Sequence, residues 1–262
     1  MTHAAESTHY YSRDGLPAYE VKARDGSMRP TTLRDAKKLN LVPSVTTIIK
    51  CAAAPGLERW KSEQVLLAAL TLPRFDGESD TEYSARVMRD SREQARKAAE
   101  RGTTIHAAIQ GIYEARHPGP ELIPYATGAD DALVGWLKKP SGLVVEAERS
   151  FAHRLGFGGK VDLHGGKPDF VLDFKTKEFS PDDDLKTWDE HHMQLAAYRE
   201  GLNLPKARCA ICYVSVTHPG LARVLEIPEE DLQRGWKCFA ALLEFWKAKN
   251  RYDPSKFERK AA

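Results

Sequence analysis

Two short stretches of the chain carry the residue types that hydrolysis at a phosphate needs. They are Gly158-Gly159-Lys160-Val161-Asp162-Leu163 and Val171-Leu172-Asp173-Phe174-Lys175-Thr176-Lys177. Both read as strands, Phe157 to Leu163 and Phe170 to Thr176, and His164-Gly165-Gly166-Lys167-Pro168 between them is a hairpin signal. Side chains at i and i+2 of a strand share a face, so Asp173 and Lys175 stand side by side while Phe174 points into the opposite layer. A hairpin turning about Gly166 to Asp169 sets Asp162 opposite Asp173. Two carboxylates about 5 Å apart on neighbouring strands repel unless a cation lies between them. Oxygen-only ligation suits a hard dication, Mg²⁺ or Mn²⁺, which keeps several waters and can bridge to a phosphate. Lys175 could orient or deprotonate such a water, or neutralise charge on a pentacovalent phosphorus. The parts describe phosphodiester hydrolysis. Alone, the triplet also fits a surface hairpin of alternating charge whose Asp173 to Lys175 pair contributes little.

The rest of the chain must position these groups. It has 262 residues, 42% hydrophobic and 29% charged, with 39 basic against 37 acidic side chains and a net charge of +2. That balance excludes a disordered acidic chain and gives no global field for a polyanion, so such a partner would meet a local patch. No window is apolar enough to span a membrane and the start lacks an export h-region, so a soluble, cytoplasmic protein is expected. Four cysteines, Cys51, Cys209, Cys212 and Cys238, are too few for a disulfide framework and read as reduced thiols.

Residues 1–100 read as a mainly helical N-terminal region packed on a core of residues 101–262, the whole one continuous domain. The N-terminal text holds short extended stretches around Asp14-Gly15 and Asp25-Gly26, helix-start signals at Pro43-Ser44, and a helical run after Pro55-Gly56 that ends before Leu72. Thr81 to Arg101 reads as a polar helix with Arg89, Arg92 and Arg96 along one face, either a phosphate-contacting stripe or a solvated face shared with Asp90, Glu93 and Glu100. Gly102 is read as a break, with Thr103 or Thr104 capping a second helix from Ile105 to about Ala115. A loop from His117 to Gly128 and a short helix around Trp136 follow. From Leu143 to Phe151 alternate residues define one mainly apolar strand face, with Glu146 and Glu148 on the other. Asp184 to Gly201 is helical, Ala207 to Thr217 and Ala222 to Ile227 are strands, and Glu229 to about Asn250 is an amphipathic helix. The class is mixed α/β, with a central mixed sheet flanked by helices.

These pieces resemble the PD-(D/E)XK nuclease superfamily in its RecB-like branch, which includes phage and mitochondrial genome-maintenance exonucleases. Gly102-Thr103-Thr104-Ile105-His106 resembles a first-helix motif with a metal-binding histidine. Gly156-Phe157-Gly158-Gly159-Lys160-Val161-Asp162 is similar to G-[YF]-x-G-x-x-D, the Asp173 to Lys175 strand to D-x-K, and Gln194-Leu195-Ala196-Ala197-Tyr198 to Q-x-x-x-Y. Pro43-Ser44-Val45-Thr46-Thr47-Ile48 is similar to an N-terminal segment of phage-type members, so the likeness spans roughly residues 40 to 227.

The resemblance implies a restriction-endonuclease-like core and a Mg²⁺- or Mn²⁺-dependent deoxyribonuclease, an exonuclease of phage recombination or DNA repair leaving 5′-phosphate and 3′-hydroxyl ends. His106, Asp162, Asp173 and the Phe174 carbonyl would hold metal, Lys175 would activate water, and Gln194 and Tyr198 would support the site. Gln110 stands where members often carry an acid and could contact the ion through water, and Glu148 could accompany the site from outside the ligand set. Pro168-Asp169 matches the name-giving dipeptide, but Asp169 and Asp173 on one strand would be about 13 Å apart, too far to share an ion. Lys160, Lys167 and Lys177, with Arg89, Arg92, Arg96 and Arg101, are candidates for DNA backbone contacts, and Trp60 and Tyr113 for base stacking or core. Some relatives hold an iron-sulfur cluster with four cysteines. Here Cys209 and Cys212 would face opposite ways along a strand, so no cluster is expected. Expected partners are single-stranded DNA or duplex ends and a single-strand annealing or recombination protein, with an oligomer conceivable and no membrane. Alternatives are a silent nucleic-acid-binding module of the same fold and a sequence-specific endonuclease.

Overall fold

The computed structural model describes residues 9–52, 55–138, 144–166 and 169–256; Lys167 lies outside them. The chain forms two compact units, one of Met1–Ala52 with Ile105–Ala262 and one of Ala53–Thr104. Residues 9–52 pack on the sheet of the larger unit, as an N-terminal region packed on a core would.

The larger unit is built on a five-stranded sheet in the order β5 (Val144–His153), β6 (Phe157–Gly166), β7 (Phe170–Lys177), β8 (Arg208–Ser215) and β9 (Ala222–Glu226). Only β7 and β8 run parallel; the other pairs are antiparallel. A parallel pair needs a crossover, and it carries α6 (Asp189–Gly201). The expected start of this helix at Asp184 moves to Asp189, since the acidic residues before it form a turn in which Asp183 accepts the Ser180 N–H at 2.7 Å.

Helices cover both faces, so the fold is mixed α/β with a central sheet. On one side Val171, Cys209, Ile211 and Tyr213 pack with Ile48 of α2 (Val45–Ile49), Leu195 of α6, and Phe239, Leu243 and Trp246 of α7 (Glu229–Asn250). On the other, Leu172, Phe174, Cys212 and Val214 pack with Ile105 and Ile109 of α4 (Asp80–Tyr113) and Leu133 of α5 (Ile123–Leu137). Cys209 and Cys212 thus lie on opposite faces, as their odd spacing requires.

Around this core, β1 (Tyr10–Tyr11) pairs with β4 (Val42–Pro43), and β2 (Glu20–Lys22) with β3 (Met28–Pro30) across the Asp25-Gly26 turn. Ser44 caps α2 by accepting the Thr47 N–H at 3.0 Å. Thr32 and Asp35 form a reciprocal capping box at the start of α1 (Leu33–Leu39). Residues 9–52 are thus stranded as much as helical, while the helix Pro55–Thr71 and the start of α4 keep the stretch up to residue 100 mainly helical, as expected.

The smaller unit holds α3 (Pro55–Thr71) and the first part of α4. Helix α4 runs 34 residues without the break expected at Gly102. One interior glycine costs only about 1 kcal/mol against alanine, and its neighbours favour continuity: Thr103 and Thr104 donate to the Ala99 and Glu100 carbonyls at 3.0 Å each instead of capping a new helix. Helix α5 likewise starts inside the stretch expected to be loop. Among the described residues no helix is long and apolar enough to cross a membrane.

The sheet contains one reversal. Val145 and Ala147 of β5 lie against the α4 and α5 side, whereas Phe151 lies against the α6 side. On β6 Leu163 and Val161 part in the same way. The register is unchanged across the switch, Ala147 facing Leu163 and Arg149 facing Val161. The switch falls on Glu148, whose φ of 58° is left-handed and unfavourable for a side chain with a Cβ. The single apolar face expected from Leu143 to Phe151 is corrected, and Leu143 itself lies outside the described residues.

Candidate metal and phosphate site

The hairpin register brings Leu163 opposite Leu172, so Asp162 and Asp173 are the next residues outward. Ladder pairing of β6 with β7 stops at that leucine pair. Beyond it β6 continues with β5 as far as Phe157, and β7 with β8 as far as Lys177, which opens a fork between the middle strands. Asp162 closes its root: Oδ2 accepts the Phe174 N–H at 2.8 Å, taking the place of the missing ladder carbonyl. Two glycines let the hairpin reach this point. A Cβ on Gly159 would lie 2.9 Å from Phe151 Cε1 and from Tyr198 Cε1, and one on Gly158 2.8 Å from the Phe151 carbonyl.

Asp173 is the buried floor of the fork, its side chain 3% exposed. Oδ1 accepts from Gln194 Nε2 at 2.7 Å, and Gln194 in turn donates to the Tyr198 hydroxyl at 3.0 Å. Oδ2 lies 2.5 Å from Lys175 Nζ, so the buried carboxylate is ion-paired with the one ammonium beside it. From α4, His106 Nδ1 comes to 3.7 Å from Asp162 Oδ2, its ring standing edge-on to Phe174 at 6.3 Å between centroids. Lys175 and His106 are 32% and 33% exposed, so they form the mouth.

Burial pushes the Asp173 carboxyl up, Lys175 pulls it down, and the Asp162 charge pushes it up again, with the rise winning. Burial also works against the Lys175 ammonium, but Asp173 and Asp162 outweigh it and hold its pKa above the usual lysine range. In this state Lys175 is an ammonium, so it can donate to a phosphoryl oxygen and is not a base. Tyr198 is driven well above the ordinary phenol range by burial and by both carboxylates, so it remains protonated.

A dication fits this donor set. Asp173 Oδ2 meets only the Lys175 ammonium, Asp162 keeps unused acceptor capacity, and His106 adds a nitrogen. The Phe174 carbonyl, on the same strand, could complete the set. Among the described residues no three His, Cys, Asp or Glu side chains already stand at ligand spacing; Lys175 supplies the positive charge that Asp173 needs.

Several expected roles change. Gln110 donates to Glu114 at 2.7 Å, so its amide is engaged away from the fork. Gln194 holds Asp173, and Tyr198, buried against Phe151, accepts from Gln194, so both act on the site from behind the carboxylate. Glu148 does not share the outward face with Glu146; its left-handed turn carries its carboxylate to an ion pair with Lys160. Lys160 is therefore partnered, and burial lowers its pKa against the pull of Asp162 and Glu114. Lys177 is exposed, its Nζ 5.6 Å from the centre of the Tyr213 ring. In the other unit Arg89, Arg92 and Arg96 line one groove with Glu93; Arg96 is paired with Glu93 and Glu100, and Arg101 is exposed on the same helix. Trp60 is 37% exposed, whereas Tyr113 is core, its hydroxyl donating to Asp130 at 3.0 Å.

Three residues near the site had no reading from sequence. Tyr213 sits directly beside Lys175 across the β7–β8 ladder. His191 accepts the Trp188 N–H on Nδ1 at 3.2 Å, and that nitrogen lies 3.3 Å from the Tyr213 hydroxyl. Its position three residues after the helix cap was the available signal. Glu114 accepts from Gln110 and adds its charge beside Lys160.

No protein-family profile matches the chain, and no curated protein matches it. Among solved structures it is similar to one described as "Crystal structure of SSO0001", at 14% identity and a TM-score of 0.30, covering 71% of this chain and 86% of that one.

Proposed function

We propose that the protein is a Mg²⁺- or Mn²⁺-dependent deoxyribonuclease, an exonuclease on a restriction-endonuclease-like core of the PD-(D/E)XK type. One observation carries the reading. A buried carboxylate, Asp173, shares a strand fork with a second, Asp162, and the one ammonium beside them, Lys175, reaches solvent. Asp162, Asp173, His106 and the Phe174 carbonyl would hold the ion, which supplies positive charge against phosphate and acidifies water when bound. Lys175, on the solvent side, donates to the phosphoryl oxygens on which charge builds during in-line attack. Gln194 fixes the Asp173 carboxylate through one oxygen and leaves the other free to ligate. Lys177 next to the fork, and Arg89, Arg92, Arg96 and Arg101 on the helical unit, are cations suited to backbone phosphates, which position a strand without reading its sequence.

The test is incubation of labelled linear single-stranded and duplex DNA with Mg²⁺, Mn²⁺ or EDTA, with folded Lys175→Ala protein alongside. Metal-dependent release of nucleotides that disappears in Lys175→Ala supports the nuclease. DNA binding indifferent to metal and without products overturns it in favour of a binding module. Cleavage of covalently closed circles at fixed positions replaces the exonuclease with an endonuclease.

A further inference from the structure

We infer that Trp188 is a stacking platform for an unpaired base next to the scissile phosphate, so that the favoured substrate presents a single-stranded segment at the fork. The inference rests on the nuclease reading for the phosphate's place, but its binding arm stands without cleavage.

The argument is one of adjacency. Lys175 faces Tyr213 across the β7–β8 ladder, the Tyr213 hydroxyl lies 3.3 Å from His191 Nδ1, and the same nitrogen accepts the Trp188 N–H at 3.2 Å. Lys177 adds an ammonium over the Tyr213 ring. These contacts tie the Trp188 backbone to the mouth of the fork while leaving its indole in neither packed core. Trp188 is 54% exposed, in a unit where Trp246 is buried and Trp136 and Trp236 are packed against a core. A large rigid aromatic held by its own backbone and left open to water beside cations suits a nucleobase, because every base has a π-face and the contact asks for no sequence.

Carboxylates around Trp188 would repel a phosphate, but most are engaged. Asp189 is 3.0 Å from Arg234, Asp184 is 3.6 Å from Lys186, and Asp183 accepts the Ser180 N–H. Glu190 is the remaining acid in the first turn of α6. The phosphate side is served instead by Lys175 and Lys177, which places the base at Trp188 and the backbone toward the fork.

The experiment measures binding of a short fluorescent single-stranded oligonucleotide in EDTA, so that no cleavage occurs, to the full chain and to Trp188→Ala and Trp188→Phe. Each is paired with an oligonucleotide carrying one abasic position scanned along its length. A stacking contact predicts that Trp188→Ala weakens binding by about 5-fold to 100-fold, that Trp188→Phe restores most of it, and that one abasic position weakens the unmodified protein but not Trp188→Ala. Equal affinity of all three proteins, or an abasic penalty that persists in Trp188→Ala, overturns the inference. If the binding pattern holds while no metal releases nucleotides, the nuclease reading has failed and the stacking site stands.

Discussion

Two charged surfaces of this protein are built in opposite ways. At the fork, Asp173 is 3% exposed, one oxygen held by Gln194 and the other paired with Lys175. Along α4, Arg96 is 57% exposed and its partners Glu93 and Glu100 lie one turn away on the same helix. The second arrangement is local and screened by water, and exposed pairs of this kind contribute little. The first brings two carboxylates and an amine from separate strands into a dry place, where one ammonium does not meet the demand. A charge that the fold fixes and leaves under-compensated is what the proposed metal site rests on; a charge answered by its helical neighbours has no such demand for a ligand.

Asp173→Asn is the sharpest way to test that contrast. Asparagine keeps the shape and can still accept from Gln194, but it cannot ligate as a carboxylate. Nucleotide release should fall by about 10²- to 10³-fold or more, and calorimetric binding of Mn²⁺ should be lost, with the far-ultraviolet spectrum unchanged. Full activity in Asp173→Asn would reduce the fork to an ordinary hairpin of alternating charge.

Acid should find the same region. Burial, Lys175 and Lys177 depress His191, while Asp173 opposes them, and its pKa falls to about 4. With an unfolded value near 6.5, the unfolded chain binds the extra proton first as pH drops. The stability associated with neutral His191 is therefore complete above pH 6.5 and drains away as pH falls toward 4. The loss approaches roughly 3 kcal/mol. Protonation would also take the Nδ1 acceptor from the Trp188 N–H. Denaturant unfolding at steps from pH 7 to 4 should show this slope, and His191→Gln should flatten it; an unchanged slope in His191→Gln refutes the assignment.

Removing the support beneath Asp173 should cost less than removing Asp173. Gln194→Ala leaves a buried carboxylate short of a donor, which costs about 1–3 kcal/mol of stability. Loss of a partner that orients a ligand should also lower Mn²⁺ affinity and activity by about 10- to 100-fold. Gln194→Glu, which replaces the donor by an acceptor at nearly constant volume, should be no better. Wild-type Mn²⁺ affinity in Gln194→Ala would show that Asp173 holds its orientation without help.

The fork was legible where its determinants are local. The expected pairing register of β6 with β7 and the alternation on β7, which puts Asp173 beside Lys175, are both observed. The acidic start at Glu229 and the polar end at Asn250 likewise mark the two limits of α7. What was hidden is nonlocal. Gln194 meets Asp173 only because a crossover folds α6 back over the sheet. The switch at Glu148 has no sequence signal, since glutamate seldom adopts positive φ. Gly128 suggested a loop but lies inside α5, where a Cβ would come 2.4 Å from the Gly220 carbonyl. That glycine is there for close packing, and periodicity alone cannot distinguish the two uses.

The smallest effects belong to the arginine stripe, where stability and DNA binding should separate. Arg89 and Arg92 are exposed, so replacing each with alanine should move unfolding free energy by under about 0.5 kcal/mol. If they touch backbone phosphate, each replacement should lower the slope of log affinity against log salt by about 0.9 on duplex or about 0.7 on single strands, equally for every sequence. Arg96→Ala should do less to the slope, because that guanidinium is already engaged by Glu93 and Glu100 and must release them to reach a phosphate. A salt titration of the Arg89→Ala, Arg92→Ala double variant decides the matter. A slope equal to that of the unmodified protein makes the stripe the solvated face its acidic neighbours suggest, and leaves Lys177 and the fork to account for whatever DNA the protein holds.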